Sequence, residues 1–364
     1  MRSFQNLERT LGGQPPRLGV QLARVDTGRG REGLYGEQLP ELLEGLAEQT
    51  RVQSIRASTA IEGINVEADR AARIAAGQVR VRNRNEQEFA GYRDAIDELM
   101  RATSPQRLSL PFVLHLHRRL YEPSGGRGGY LKREDNLIAT RDDDGHQVVI
   151  FEPPPWTETE FLVTELIARY NEASDAGAAH PVLLLSAFVL DFLAIHPVID
   201  GNGRLARLIT THELLRLGYG IARYVSVEQR IFETKNTYYE ALRTSQVGWL
   251  DGAHDLWPWA SYLVGTLAYC YDVFEGQVQA ARAAAGLTKQ QRVRLYVLAH
   301  APSAFRLRDL RAALPGISTP TISLVLRDLK AEGLVDVDST GQGAVWKRVG
   351  GPSTSLPPTQ LPLS

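Results

Sequence analysis

The chain has a single cysteine, Cys270, in 364 residues. That excludes an internal disulfide and any cysteine-based metal site, and it suits a reducing compartment. No run of about eighteen apolar residues occurs, and the start, MRSFQNLERTLGGQPPRLGV, has no apolar signal core. A cytoplasmic protein without membrane contact is therefore expected. An excess of one charge is missing too: 41 Lys and Arg stand against 42 Asp and Glu. This excludes a chain that binds nucleic acid or an anionic surface over its whole exterior. There is no G-x-x-x-x-G-K-[ST], so P-loop chemistry is out. His212-Glu213 runs on into Leu214, Leu215 and Arg216, without the second histidine of a zinc-protease motif. His115 and His117, two apart on a helical pattern, face different sides and read as structural. No internal repeat is found.

What is present is enough apolar sequence, 43% of the residues, for one large core and a smaller one. The most informative stretch is His196 to Arg207, HPVIDGNGRLAR. The apolar run Pro181 to Ile195 predicts a helix ending at the His-Pro step, which puts His196 at a mouth. A Gly-rich turn then opens the next helix, where backbone N–H groups without intrahelical partners and the dipole's positive end make an anion site. Gly201, Asn202, Gly203 and Arg204 would supply the donors. Arg204 and Arg207, three apart on one face, can reach forward to a polyphosphate, and Asp200 is a natural Mg²⁺ ligand. An imidazole of ordinary pKa, near 6.5, can take a proton from an attacking hydroxyl. A lone GxG or a lone histidine would read as a turn or a helix end; the combined dozen points to chemistry.

This segment resembles the signature of the Fic family, H-x-F-x-[D/E]-G-N-G-R-x-x-R, with eleven of twelve positions compatible. The departure is Val198 in place of the usual Phe, read as a packing change beneath the loop. The resemblance implies a protein adenylyltransferase that moves AMP from ATP to a Ser, Thr or Tyr hydroxyl and releases pyrophosphate. His196 would be the base. ATP would be the co-substrate, with Mg²⁺ held by Asp200.

Ser58 to Gly63, STAIEG, matches the family's inhibitory pattern [S/T]-x-x-x-E-[G/N]. It closes a predicted helix from Pro40 with Leu39, Leu42, Leu43 and Leu46 on one face, Gly63 being the C′ residue. A glutamate in a last turn costs roughly 0.3–1 kcal/mol unless a cation answers it. By resemblance Glu62, with Ser58, holds Arg207 and keeps the enzyme self-inhibited. Two alternatives remain: a DNA-binding regulator whose Fic part senses nucleotide, and a Fic-type enzyme that removes AMP with the same glutamate orienting water.

Residues 129–155 predict a hairpin: a strand from Asn136, an Asp142-Asp143-Asp144-Gly145 turn and a return from Gln147 to Phe151. Its free edge could pair with a target segment and register a hydroxyl against His196. By resemblance this is the flap, with Leu137 and Ile138 facing the nucleotide. Tyr238 and Tyr239 would border the adenine pocket, and Gln246 would meet the base.

The chain as a whole reads as mainly α, a Fic-type helical bundle with a β-hairpin flap plus a small winged-helix domain. Residues 1–107 form a helical N-terminal region, although the Gly-, Pro- and Arg-rich start up to about Arg31 reads as irregular. The catalytic part is 108–285, with helices at about 110–121, 157–173, 181–195, 203–217 and 228–246, then one from Trp257. Residues 286–349 resemble a winged helix, with a recognition helix at Thr319 to Glu332 capped by Ser318 or Thr319. Residues 281–348 hold eleven Lys and Arg against five Asp and Glu, which fits contact with DNA, while a winged helix equally serves as a protein-contact or dimer module. The tail 350–364 is Pro- and Ser-rich. Target proteins (the chain itself among them), DNA and a second copy in a homodimer are the partners left open.

Overall fold

The computed structural model describes residues 2–126, 128–141, 147–285, 288–338 and 344–349. The expected Asp142–Gly145 turn, residues 339–343 and the tail from Gly350 lie outside them. The described chain divides into two compact units after Val278.

The first unit begins with α1 (Arg2–Gln5), α2 (Leu7–Leu11) and α3 (Pro16–Gln38). The irregular start expected up to Arg31 is corrected here: Gly19, Gly28 and Gly30 sit inside a long helix. Each costs about 1 kcal/mol relative to alanine, but Leu18, Leu22, Val25 and Tyr35 bury one face of α3. Gly28 is needed for close approach, because a Cβ there would lie 2.2 Å from the Tyr271 ring. Next come α4 (Pro40–Ile61), α5 (Ala68–Ala75), α6 (Arg84–Arg101) and α7 (Leu110–Tyr121). The antiparallel strands β1 (Ile138–Arg141) and β2 (Gln147–Phe151) follow, with a register shift after Ile138. Then come α8 (Trp156–Asp175), α9 (Pro181–Ile195), α10 (Asn202–Arg216), α11 (Val227–Glu233), α12 (Lys235–Gln246) and α13 (Trp257–Ala285), within which the first unit ends. The single helix expected at 228–246 is two, broken at Thr234, whose hydroxyl turns back to the Arg230 carbonyl (2.7 Å) and meets Tyr262.

The core centres on α9. Its sequence is apolar on all faces, and every residue from Val182 to Ile195 is buried. α8, α10 and α12 pack around it, while α4 lies along α11 and α6. The charged residue in α9 is Asp191, fully buried, which accepts from Ser3 N (3.1 Å), Ser3 Oγ (2.7 Å) and Trp249 Nε1 (2.6 Å). Burial pushes its pKa up, and the donors work against that. This one carboxylate anchors α1 and the loop after α12 to the central helix.

In the second unit, α14 (Lys289–Ala299), β3 (Ala304–Arg306), α15 (Leu307–Ala313), α16 (Thr319–Ala331), β4 (Val335–Val337) and β5 (Val345–Arg348) follow in that order. The strands form an antiparallel sheet in the order β3-β5-β4. Val293, Val297, Phe305, Ile322, Leu326 and Leu329 are among the residues of its own core. Ser318 caps α16, its Oγ accepting from Thr321 N. The recognition helix expected at Thr319 to Glu332 is α16.

Replacing Asp191 by Ala should strand the Ser3 and Trp249 donors and lower stability by about 2–4 kcal/mol. Urea unfolding of the two forms measures this, and equal midpoints would show that the cluster carries no net stability.

Candidate functional site

α9 ends at His196 because Pro197 cannot continue it. His196 takes a left-handed conformation (φ 51°), the one described non-glycine residue with positive φ, and its N–H still reaches the Phe192 carbonyl at 3.0 Å. Gly201 (φ 88°) reverses the chain into α10, so the two helix ends face one mouth. Asn202 closes the loop from inside: its Oδ1 accepts from Val198 N (3.1 Å) and its Nδ2 donates to Val198 O (2.6 Å). Val198 is fully buried beneath the loop.

The imidazole of His196 is oriented by its own helix. Nδ1 lies 3.2 Å from the Leu193 carbonyl, which can only accept, so Nδ1 carries the proton and Nε2 keeps its lone pair. Burial lowers its pKa to about 4; the Leu193 bond opposes this, the Lys132 charge adds to it, and Glu62 and Asp200 oppose it. A neutral acceptor at Nε2 is what a base for a hydroxyl requires.

The two signature arginines are both buried, and each is bound to a different carboxylate. Arg204 pairs with Glu88 of α6 at 2.8 Å and donates to the Tyr121 hydroxyl at 2.9 Å. Arg207 donates to Ser58 Oγ (2.8 Å), Ser58 O (3.0 Å) and Glu62 Oε1 (2.8 Å). Burial works against the charge of Arg207, but Glu62, Tyr238 and Tyr92 outweigh it and hold the guanidinium above its ordinary pKa. Its Nη1 is buried without a partner among the described residues.

Local geometry delivers Glu62 to this place. Gly63 (φ 80°) ends α4 in a Schellman turn, with Gly63 N to Ala60 O at 3.0 Å and Ile64 N to Thr59 O at 3.0 Å. Lys235 adds a cation at the helix's negative end, donating to the Ile61 carbonyl at 2.6 Å. Gly203 leaves the room, since a Cβ there would sit 2.5 Å from Glu62 Oε1.

Asp200 is exposed at the mouth, with carboxylate oxygen distances of 3.9 Å to Arg204 and 4.0 Å to Arg84. No group of three or more His, Cys, Asp or Glu that could hold a metal occurs among the described residues. Asp200 would thus be a single protein ligand, suited to an ion that shares its shell with phosphate oxygens and water. Leu137 is exposed and Ile138 half-buried at the start of the hairpin. Of the tyrosine pair, Tyr238 is buried in an aromatic cluster with Trp259 and Tyr262, while Tyr239 reaches the surface. Gln246 is buried at the end of α12.

Several supports of this mouth have no signature in the sequence. Glu88 and Tyr121 hold Arg204, and His117 accepts from Gly129 N (3.0 Å) and donates to the Asp200 carbonyl (3.2 Å). Burial brings the His117 pKa down to about 4. The helical pattern read His117 only as structural; packing shows what it holds. His115 binds Glu98 and His212 the Gln106 carbonyl, so neither belongs to a metal site.

The architecture matches solved helical Fic structures. A Fic family protein from Desulfovibrio desulfuricans G20 aligns over 93% of this chain and 97% of its own at 21% identity and TM-score 0.58. Fic-1 from C. elegans aligns over 72% of each chain at 19% identity and TM-score 0.54. In sequence, residues 107–214 match the Fic/DOC family model. That segment, residues 107–214, is what belongs with the Fic/DOC family. Among curated relatives, Protein adenylyltransferase Fic of Drosophila yakuba is 28% identical over 142 residues, 39% of this chain and 25% of that protein. The Drosophila melanogaster protein of the same name is 28% identical over 113 residues, 31% and 21% respectively. The chain thus spans about a quarter or less of the length of these relatives.

His196 should titrate near pH 4, followed by the NMR shift of its ring carbon; a midpoint at the ordinary value would contradict the buried setting. The sign for stability follows. A histidine whose folded pKa is depressed contributes stability that is fully present above about 6.5. His196 and His117 both lose that contribution as pH falls towards about 4.

Proposed function

We propose that this chain transfers AMP from ATP to a protein hydroxyl and is held in check by Glu62. The observation that carries the reading is the mouth itself: a His196 whose Nδ1 is tied to the Leu193 carbonyl ends α9, and six residues on α10 begins, its Arg207 occupied by a carboxylate from α4. In the reaction, Nε2 takes the proton of a Ser, Thr or Tyr hydroxyl as its oxygen bonds to the α-phosphorus. The bond from that phosphorus to the bridging oxygen breaks, and pyrophosphate leaves with the electron pair. The backbone N–H groups of 201–204 cradle the phosphates, and Arg207, once free of Glu62, neutralises the leaving group. Mg²⁺ held by Asp200, phosphate oxygens and water would supply further charge neutralisation.

The flap supports the acceptor side. β1 and β2 make a sheet of two strands, and Val148, Val149 and Ile150 are exposed along β2. An apolar strand with an open edge is suited to pairing with an extended target segment, the chain's own included. Adenine would lie towards Leu137, Ile138, Tyr239 and Gln246, with Tyr238 behind Tyr239.

Incubation with labelled ATP and a cell lysate tests the proposal. Glu62→Gly should raise protein labelling by about tenfold or more, and adding His196→Ala should lower it by at least about 10²-fold. Equal labelling by the parent and Glu62→Gly would refute inhibition by Glu62. Release of AMP from a labelled protein that depends on Glu62 would support AMP removal instead.

The second unit favours an additional role in binding DNA. Between 288 and 349 it carries ten Lys and Arg against five Asp and Glu, and Ser323 and Arg327 are exposed on α16. A basic helix face of this kind suits phosphate contacts in a groove. Random duplex DNA at low salt should be retarded in a gel by the full chain and less so by Arg327→Glu; no retardation would count against it.

A further inference from the structure

Lys132 is a buried cation with no part in the steps above. It is 3% exposed, and its Nζ donates to Asn136 Oδ1 (3.0 Å), Pro154 O (2.9 Å) and Ile195 O (3.2 Å). None of these acceptors is charged, and the one charge that supports the ammonium is that of nearby Asp135, a costly arrangement unless every donor is used. The three acceptors lie on three different pieces of chain. Asn136 precedes β1, Pro154 follows β2, and Ile195 is the last residue of α9 before His196.

The neighbouring residues repeat the pattern. Lys132 N donates to Pro197 O at 2.9 Å. Asn136 Nδ2 donates to Val198 O (3.1 Å) and His196 O (3.4 Å). Asp135 Oδ1 accepts from Trp156 N at 2.7 Å, at the start of α8. Residues 132–136 thereby bind both feet of the hairpin to the turn that holds His196 in its left-handed conformation.

We propose that Lys132 and Asn136 are positioning residues that clamp the hairpin to the 195–198 turn, so that the strand edge offered to a target and the imidazole meant to deprotonate it stay in register. The clamp rests on the proposed transfer reaction. It acts on the acceptor side, leaving the phosphate cradle at 201–204 to other supports, Asn202, His117 and Tyr121. A looser clamp should therefore slow transfer without weakening ATP binding.

Two measurements decide it. The first needs no turnover: the charged groups acting on His196 are Lys132, Glu62 and Asp200, of which only Lys132 lowers its pKa. Lys132→Met removes that charge and loosens the turn, and both effects raise the His196 midpoint, by roughly half a pH unit or more. Lys132→Arg keeps charge and donors and should leave it unmoved. An unmoved midpoint in Lys132→Met overturns the clamp, and Asn136→Ala, which removes no charge, should also raise the midpoint, separating the loosened turn from the lost charge; an unmoved midpoint there overturns the clamp too. The second compares variants in the Glu62→Gly form: Lys132→Met should lower kcat by about 10- to 100-fold with the KM for ATP within about twofold, and Lys132→Arg should restore it. Unchanged kcat, or a loss confined to KM for ATP, also overturns it. If the Glu62→Gly parent transfers no AMP, the proposed function fails while the titration still decides the clamp. If Lys132→Met does not fold, Asn136→Ala, which cuts only the bonds to the 196 and 198 carbonyls and to Lys132, takes its place in both measurements.

Discussion

Two helices buried on almost every side, α9 and α10, have to be joined by six residues, and the rest of the molecule depends on how that join is made. A chain leaving one such helix and entering the next must expose a C-terminus and an N-terminus side by side. The polar backbone groups there cannot be left unpaired in the interior. Here Pro197 stops the first helix, Gly201 turns the chain, and Asn202 satisfies the loop from within. One mouth therefore presents a side chain from the first helix end, His196, and the free donors of the second.

The same constraint explains the arginines. α10 is buried from Arg204 to Leu214, so its two guanidinium groups cannot lie in solvent and must be answered inside. Glu88 and Tyr121 answer Arg204; Ser58 and Glu62 answer Arg207. Breaking a buried pair by deleting one partner typically costs about 3–5 kcal/mol, so each carboxylate is a firm occupant of its place. The partners differ in seating: Glu88 is buried on α6, whereas Glu62 is a partly exposed last-turn residue of α4. On the proposed function, that makes Glu62 the partner an anionic ligand could replace.

Much of this was legible from residue order. Helices at 110–121 and 181–195 were read with their ends in place, because Ser109 and His180 stand at their starts, proline lies in both first turns, and His-Pro ends the second. The mainly helical Fic-type fold was read from the dozen residues at 196–207, and the STAIEG segment led to Glu62 and Arg207. The long helix over the Gly-rich start was missed because propensity counts glycines as breaks. It exists because Leu18, Leu22, Val25 and Tyr35 find a core to enter and Gly28 lets the Tyr271 ring come close. The break at Thr234 was missed for a similar reason, since its hydroxyl has a partner, Tyr262, that is remote in sequence.

What the sequence by itself determined was the set of groups in the mouth and the turns that expose them, since helix stops, glycine turns and caps are settled by near neighbours along the chain. Only the tertiary structure decided that Glu88 answers Arg204, that Lys132 and Asn136 tie the hairpin to the His196 turn, and that burial holds that imidazole well below its ordinary pKa. Those outcomes depend on desolvation and on contacts between residues far apart in the chain, and neither has a period or a spacing that residue order could carry.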